Sequence, residues 1–423
     1  MSSMPDMATG SAAPASPTDA LPALVASPTL ERSALIRVVL QRNPGIAAAR
    51  AGWLAALSRY PQQTAWDDPM LSYRTYPRSI GAGVHYGQEI EISQRIPIGG
   101  KLDLQGEITL AEADAARADY QSVRLRLGMM ASQLFDDYGL AVRSLAIIAR
   151  QAQVVVDLKA SAQAHVANGS ASIQDALMAD AEAAELQQEL ILATADRDVA
   201  ITQLNGLLHR LPIDAPLPVP GDEAVATPGA ESAALQEIAV RERPELGAVD
   251  ARARRADSSL VLAERQYRPD VTVSGTYSSL WDQREYRYGL GVAVALPVHG
   301  DRLRGGIDEA HAQLTQAHLE REHMERDIRV EVAEAIRRLT AAESIATVIH
   351  DQLLPALTNR SDAARTAFAA NRTTFEVIIT ATRARLGAEL RYQQALTDVS
   401  RRRASLIRAI GRLPIPAPAG ATP

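Results

Sequence analysis

Eight histidines, a Gly-Gly-Lys segment and several paired acids are the residues of this 423-residue chain whose types could do chemistry. The histidines are His85, His165, His209, His299, His311, His318, His323 and His350. A helical metal site prefers histidines at i and i+4, so that both imidazoles reach one ion. His311, His318 and His323 step instead by 7 and 5, and they read as solvated side chains. Gly99-Gly100-Lys101 lacks the earlier glycine and the following Ser or Thr of a phosphate loop, and reads as the end of a strand and the start of a helix. Asp67-Asp68 and Asp136-Asp137 are adjacent in sequence, so on a helix each pair would point to different faces, and both are expected to be solvated charges. Met1, Met4 and Met7 have the spacing of a soft-metal thioether cluster, but they sit in an Ala/Ser/Pro-rich stretch read as a flexible tail. No nucleophile elbow, zinc helix or dinucleotide fingerprint occurs. The expectation is therefore no enzyme, no catalytic residue, no metal ligand and no cofactor.

Composition narrows the alternatives. The net charge of −6 is spread with both signs along the chain, so no nucleic-acid surface is expected. The absence of cysteine excludes disulfides, thiolate metal sites and an N-terminal lipid acceptor. Met1–Pro28 does not read as a signal peptide, because no basic start leads into an apolar stretch. No run of about eighteen apolar residues is present, so no transmembrane helix is expected. A membrane crossing would then require a closed barrel.

Two extended stretches, Asp68–Pro97 and Asp270–Pro297, carry the period-two signature of β-hairpins. In the first, Ile90, Ile92 and Ile96 alternate with Glu89, Glu91, Ser93 and Arg95. In the second, Val271 and Val273 alternate with Thr272 and Ser274, and Leu290, Val292 and Val294 alternate with Gly289, Gly291 and Ala293. Of the 17 aromatic residues, ten lie in or beside these hairpins, which suggests the aromatic girdle of a barrel at a membrane interface. A lone hairpin is marginal in water, so the strands must join a larger sheet, pack on helices or face lipid.

The rest reads as helix. Lys101–Ala167 would be about 100 Å long at 1.5 Å per residue, too long for a compact globule. Within it Leu127, Ala131, Leu134, Tyr138, Ala141, Leu145, Ile148, Ala152 and Val155 step by 4 and 3, the spacing of a coiled-coil seam. Asn168-Gly169 breaks this helix, and another follows from Ile173 to Leu208.

The pattern then repeats. Pro44 and Pro244, Pro69 and Pro269, Pro97 and Pro297, Gly100 and Gly300, and Gly106 and Gly306 are identical pairs 200 residues apart. The chain is read as a duplication. A flexible segment 1–28 precedes a first repeat 29–211, with its hairpin at 68–97 and a helical turn near 168–172. A linker 212–230 leads to a second repeat 231–414, with its hairpin at 270–297 and a turn near 370–374, and a tail 415–423 ends the chain. The fold class is mainly α with a small β part. Four strands per chain cannot close a membrane barrel, which starts at eight, so several chains must contribute.

The duplicated frame, Ser93-Gln94-Arg95-Ile96-Pro97-Ile98-Gly99-Gly100-Lys101 with its counterpart Ala295–Gly300, and the turns Ala167–Asp175 and Ala370–Val377 resemble the TolC-like outer-membrane efflux protein family. The resemblance covers nearly everything from Thr29 to Pro414, and Ile-Pro-Ile-Gly-Gly-Lys looks most like its heavy-metal cation branch. It implies a homotrimer in the outer membrane of a Gram-negative bacterium. Its twelve-stranded β-barrel, four strands from each chain, would continue as a periplasmic α-helical barrel. It also implies a periplasmic adaptor and an inner-membrane pump of the resistance-nodulation-division type. The channel would be a passive exit duct, for heavy-metal cations or, alternatively, for organic toxicants or antibiotics.

By position, the resemblance places Gly169, Asp175, Asn371, Arg372 and Glu376 at a periplasmic aperture that gates or docks the adaptor. Asp175 and Glu376 also fall in first helical turns, where a carboxylate caps backbone N–H groups. Pro97, Gly99, Gly100, Pro297 and Gly300 would mark the strand-to-helix transitions. Ile90, Ile92, Val271, Val273, Leu290, Val292 and Val294 would face outer-membrane lipid. A second reading, motivated by the heptad seam and the missing signal sequence, is a soluble periplasmic coiled-coil scaffold or adaptor.

Overall fold

The computed structural model describes residues 20–77, 86–168, 172–211, 214, 217–221, 225, 229, 231–281, 283–370 and 372–415. Proline sets the first elements of each repeat. Helix α1 spans Ala20–Ala26, α2 Arg32–Arg42, α3 Pro44–Leu57 and α4 Tyr60–Thr64. A residue before proline is pushed out of the helical region while proline suits the first helical position, so α2 stops at Asn43 and α3 starts at Pro44. The second repeat does the same 200 residues on. Asn43 has φ −69° and ψ 119°, and Arg243 has φ −69° and ψ 117°.

Strands β1, Met70–Tyr76, and β2, Gly87–Ile96, form the first hairpin. The long helices α5, Lys101–Ala167, and α6, Ile173–Leu207, follow. The second copy comprises α7, Ser232–Glu242, α8, Pro244–Arg265, β3, Val271–Ser278, and β4, Tyr288–Val294. It continues through α9, Gly300–Val348, α10, Leu354–Ala369, and α11, Phe375–Ala409. Where α5 is continuous, its counterpart is interrupted by a π turn at Ile349–Leu353. Pro355 explains the break, since it has no N–H for the α-helical ladder and its ring crowds the carbonyl four residues back.

The chain forms two compact units that each draw on both repeats, so they do not coincide with the repeat boundaries. One takes in residues up to Ile46, Val123–Arg243 and Ile328 onward. Its core holds Leu35, Ile36, Val39, Ala131, Phe135, Tyr138 and Leu204. The seam residues Ala131, Tyr138, Ile148 and Val155 are all buried in this unit. Arg32, 1% exposed, lies at the centre. Its guanidinium donates to Asp136 Oδ1 at 2.6 Å and Oδ2 at 3.1 Å, to the Ser132 hydroxyl at 2.5 Å and to the Ser400 hydroxyl at 3.1 Å. It also stands 4.4 Å over the Phe135 ring. Asp136 is therefore no solvated charge, at 6% exposed. Asp137, on the neighbouring face, pairs with Arg401.

The other unit comprises Ala47–Ser122 and Pro244–Asp327 and contains the sheet. Trp53 stacks on Tyr120 at 6.2 Å, with Arg117 over the indole. Arg254–Asp114 at 2.7 Å and Arg255–Glu112 at 2.9 Å tie α8 to the start of α5. Gly106 lets α4 and α5 approach closely here, since a Cβ would meet Thr64 Cγ2 at 2.9 Å and Tyr60 Cε2 at 3.0 Å.

Three expectations need correction. Residues 20–26, inside the segment expected to be flexible, form a helix with Leu24 buried. The linker is partly a strap: the Leu30 N–H donates to Val219 O at 2.9 Å and the Gly221 N–H to Leu30 O at 3.0 Å. Helix α5 also contains an 18-residue window apolar enough to cross a membrane by length and composition. That criterion is one of length and composition alone, and 22% of the window is buried.

Candidate functional site

The sheet has the order β1-β2-β3-β4 and is antiparallel throughout, so β2 and β3 join the two repeats. Residues paired across an antiparallel ladder share a face. The pairs Ile90↔Tyr277, Gln94↔Val273 and Ile96↔Val271, with Val273↔Val292, Gly275↔Leu290 and Val271↔Val294, put all seven sequence-predicted membrane-facing residues on one face. Leu71 and Tyr73 join them through Ile92 and Ile90. This face is uncovered among the described residues: Leu290 is 94% exposed and Val292 71%. Tyr73, Tyr277 and Tyr288 form one row across it, the last two with rings 5.4 Å apart. β1 and β4 are open edges with no partner strand among the described residues.

The opposite face is polar. It carries Ser72, Arg74, Glu89, Glu91, Ser93, Arg95, Thr272, Ser274, Thr276, Gly289 and Gly291. Arg74 donates to Glu89 at 3.1 Å, and the Tyr76 hydroxyl donates to the same carboxylate at 3.1 Å. At the end of the sheet where the helices begin, Lys101 Nζ lies 2.8 Å from both Asp270 Oδ1 and Arg268 O. Arg95 reaches Asp270 Oδ2 at 2.5 Å. Burial alone would raise the Asp270 carboxyl, but the hydrogen bonds from Lys101 and Arg95 outweigh it and hold its pKa below the ordinary aspartate value. Asp270 precedes β3 and lies outside the strands.

The strand-to-helix transitions differ between the copies. Gly99 and Gly100 have φ of 89° and 74°, a region that favours glycine. A Cβ on Gly99 would also lie 2.6 Å from Arg268 Cδ. Gly300 is simply the first residue of α9, with nothing within 4 Å of an added Cβ. The second copy turns through successive i+2 bonds, Val298 N–H to Leu296 O at 3.0 Å and Gly300 N–H to Val298 O at 3.2 Å. Pro297 is central in the first of these, where its fixed φ suits an inverse γ-turn.

Of the aperture residues, Gly169 and Asn371 lie outside the described residues. Asp175 is the third residue of α6 and closes a capping box: the Ser172 N–H donates to its Oδ2 at 3.2 Å, and Ser172 Oγ accepts from the Gln174 N–H at 3.2 Å. The Arg372 N–H donates to Ala367 O at 2.8 Å at the end of α10. Glu376 lies in the first turn of α11, and the side chains of Arg372 and Glu376 are exposed.

What the sequence reading missed is how these turns are held. Phe368 and Phe375, two of the chain's three phenylalanines, flank the second turn with rings 5.8 Å apart, and His165 of α5 meets Phe368 edge-on at 5.6 Å. Lys159 pairs with Asp180 at 2.8 Å. Arg383 of α11 reaches Glu182 Oε1 of α6 at 2.8 Å, although Glu182 is 4% exposed. Phenylalanines on both sides of a predicted turn were the one signal available. Among the described residues no group of three His, Cys, Asp or Glu side chains could hold a metal ion.

A duplicated unit of β-hairpin and long helical hairpin, its four strands in one two-faced sheet, is the fold of TolC-like channels, a β-barrel continued by a helical barrel. Residues 35–209, essentially the first repeat, match the outer membrane efflux protein family. A solved structure of CusC, described as showing conformational changes accompanying folding and transmembrane channel formation, superposes with a TM-score of 0.78 at 15% identity, covering 91% of this chain and 94% of that one. The outer membrane protein VceC of Vibrio cholerae gives 0.75 at 18% identity, over 90% and 96%. The open state of the MtrE outer membrane channel of Neisseria gonorrhoeae gives 0.76 at 15%, over 91% and 90%. At these identities the likeness establishes the fold. No curated protein matches the sequence.

Proposed function

We propose that this chain is one third of a passive exit duct in the outer membrane of a Gram-negative bacterium. The observation that carries the reading is the sheet: among the described residues one face is apolar and uncovered, the other is polar, and both edges are open. Unpaired strand edges cannot stand in lipid and a broad bare apolar face is costly in water; closure with two further copies into a twelve-stranded barrel pairs the edges and turns the apolar face to lipid. The helical hairpins would then extend into the periplasm. Gly169, Asp175, Asn371, Arg372 and Glu376 would form the aperture that meets a periplasmic adaptor and, through it, an inner-membrane pump of the resistance-nodulation-division type. The duct performs no reaction, and the pump supplies the energy.

The cargo we infer is heavy-metal cations, supported by the Ile96-Pro97-Ile98-Gly99-Gly100-Lys101 segment. Deletion of the gene should lower tolerance to copper, zinc, cobalt, nickel or silver. Unchanged metal tolerance with lost tolerance to dyes and antibiotics would reassign the cargo to organic toxicants. Recovery of the native protein in the water-soluble fraction would remove the duct itself in favour of a scaffold.

A further inference from the structure

We propose that Glu91 sets the ionic preference of the duct, drawing cations over anions past the polar wall of the sheet. The assignment rests on the trimeric duct described above. Within the paired strands, every ionised side chain of the polar face belongs to β1 or β2, and that face of β3 and β4 offers only Thr, Ser, Gly and Ala. Arg74 is neutralised by Glu89 at 3.1 Å; Arg95 shares Asp270, at 2.5 Å, with Lys101 and also stands 3.8 Å from Asp67, so that two carboxylates meet two cations at that end. Among the described residues Glu91 is the carboxylate of this face with no ion pair. It stands in register with Ser72 on one side and Thr276 on the other, and through Thr276 with Gly289. Hydroxyls and bare backbone leave its charge unbalanced.

Three-fold symmetry would place three Glu91 carboxylates at one height. A twelve-stranded barrel with strands about 4.8 Å apart and tilted by about 40° is about 25 Å across its backbone. Side chains of about 5 Å on either wall leave an open radius of about 8 Å. The Debye length is about 10 Å at 0.1 M salt and about 3 Å at 1 M. The field of the ring therefore reaches the axis in dilute salt and is screened from it in concentrated salt. A pore-lining ring of carboxylates favours cations on these grounds alone.

The test is the reversal potential of the detergent-purified full-length trimer in a planar bilayer across a potassium chloride gradient centred near about 0.1 M. The wild-type channel should prefer potassium. E91Q should lower the potassium-to-chloride permeability ratio about twofold, E91R should carry it further toward chloride, and E91D should keep it. The differences should collapse near about 1 M salt. A conducting wild-type channel whose ratio is the same in E91Q and E91R overturns the role of Glu91 and leaves the duct standing. A wild-type trimer that forms no channel overturns the duct and the assignment with it.

Discussion

Arg32 on α2 and Asp136 on α5, 104 residues apart, form a two-pronged ion pair with both side chains almost wholly buried. The serines at positions 132 and 400 add hydrogen bonds to the guanidinium, and Ser400, which also donates to Asp136, draws α11 into the same lock. A buried pair adds little over a well-packed apolar one, but removing one partner strands the other as a bare charge. Asp136→Ala should therefore destabilise the protein by about 3–5 kcal/mol. The double variant Arg32→Met with Asp136→Leu should recover most of that loss. Denaturant unfolding in detergent checks both; a double variant no better than the single would mean that the pair itself supplies the stability.

His209 and Gly411 end α6 and α11 at equivalent places, both with positive φ, 53° and 86°. Arg210 N–H closes back on Asn205 O at 2.8 Å in the first, and Arg412 N–H on Ile407 O at 3.0 Å in the second. A side chain in this region costs about 1–2 kcal/mol, partly offset by the flexibility glycine adds to the unfolded chain. His209→Gly should be neutral or stabilising by up to about 1 kcal/mol. Gly411→Ala should destabilise, because its Cβ would meet the Glu242 carbonyl at 2.8 Å. Thermal unfolding should show the two changes with opposite signs.

Glu242 accepts two hydrogen bonds from Arg412, at 2.6 and 2.7 Å. That contact, set against a smaller opposing effect of burial, holds the Glu242 pKa below the usual glutamate range. A depressed folded-state pKa gives stability that is present above the unfolded-state value and lost as pH falls through the folded one. Glu242→Gln should therefore melt below wild type at neutral pH, with the gap closing in acid below the depressed pKa. High salt should narrow the gap at neutral pH, since the pair is partly exposed. A gap independent of pH would contradict the pairing.

Asp175 has two separable roles, a cap seen in the structure and the charge proposed for the aperture. Asp175→Ala removes both and should cost about 0.3–1 kcal/mol of stability. Asp175→Asn keeps an acceptor oxygen, so stability should stay within about 0.5 kcal/mol while export-dependent tolerance falls. Wild-type tolerance in Asp175→Asn would leave this carboxylate as a cap alone.

The parts of this fold that were legible in the sequence are those set by local geometry. Proline fixed where α3 and α8 begin, period-two alternation gave both hairpins, and the bounds of α5 at Lys101 and Ala167 followed from flanking glycines and the Asn168 break. Alternation also identified the seven apolar residues that the register gathers on one face. Long-range partners were not legible. Nothing near Asp136 in sequence announces Arg32 or Ser400, so an acid pair that looked solvated is half buried in the core. The π turn at Ile349–Leu353 was hidden for another reason: proline in a helix signals a break but not how the ladder absorbs it. The Glu182–Arg383 link likewise joins helices 201 residues apart, and neither residue stands out from its neighbours.

The most direct test of the proposed duct is the protein mass of the particle extracted from outer membranes by mild detergent, measured by light scattering with the detergent contribution subtracted. Closure by three chains predicts about three times the 45.4 kDa of one chain. A monomer, or a protein that stays dispersed in buffer without detergent, would contradict it.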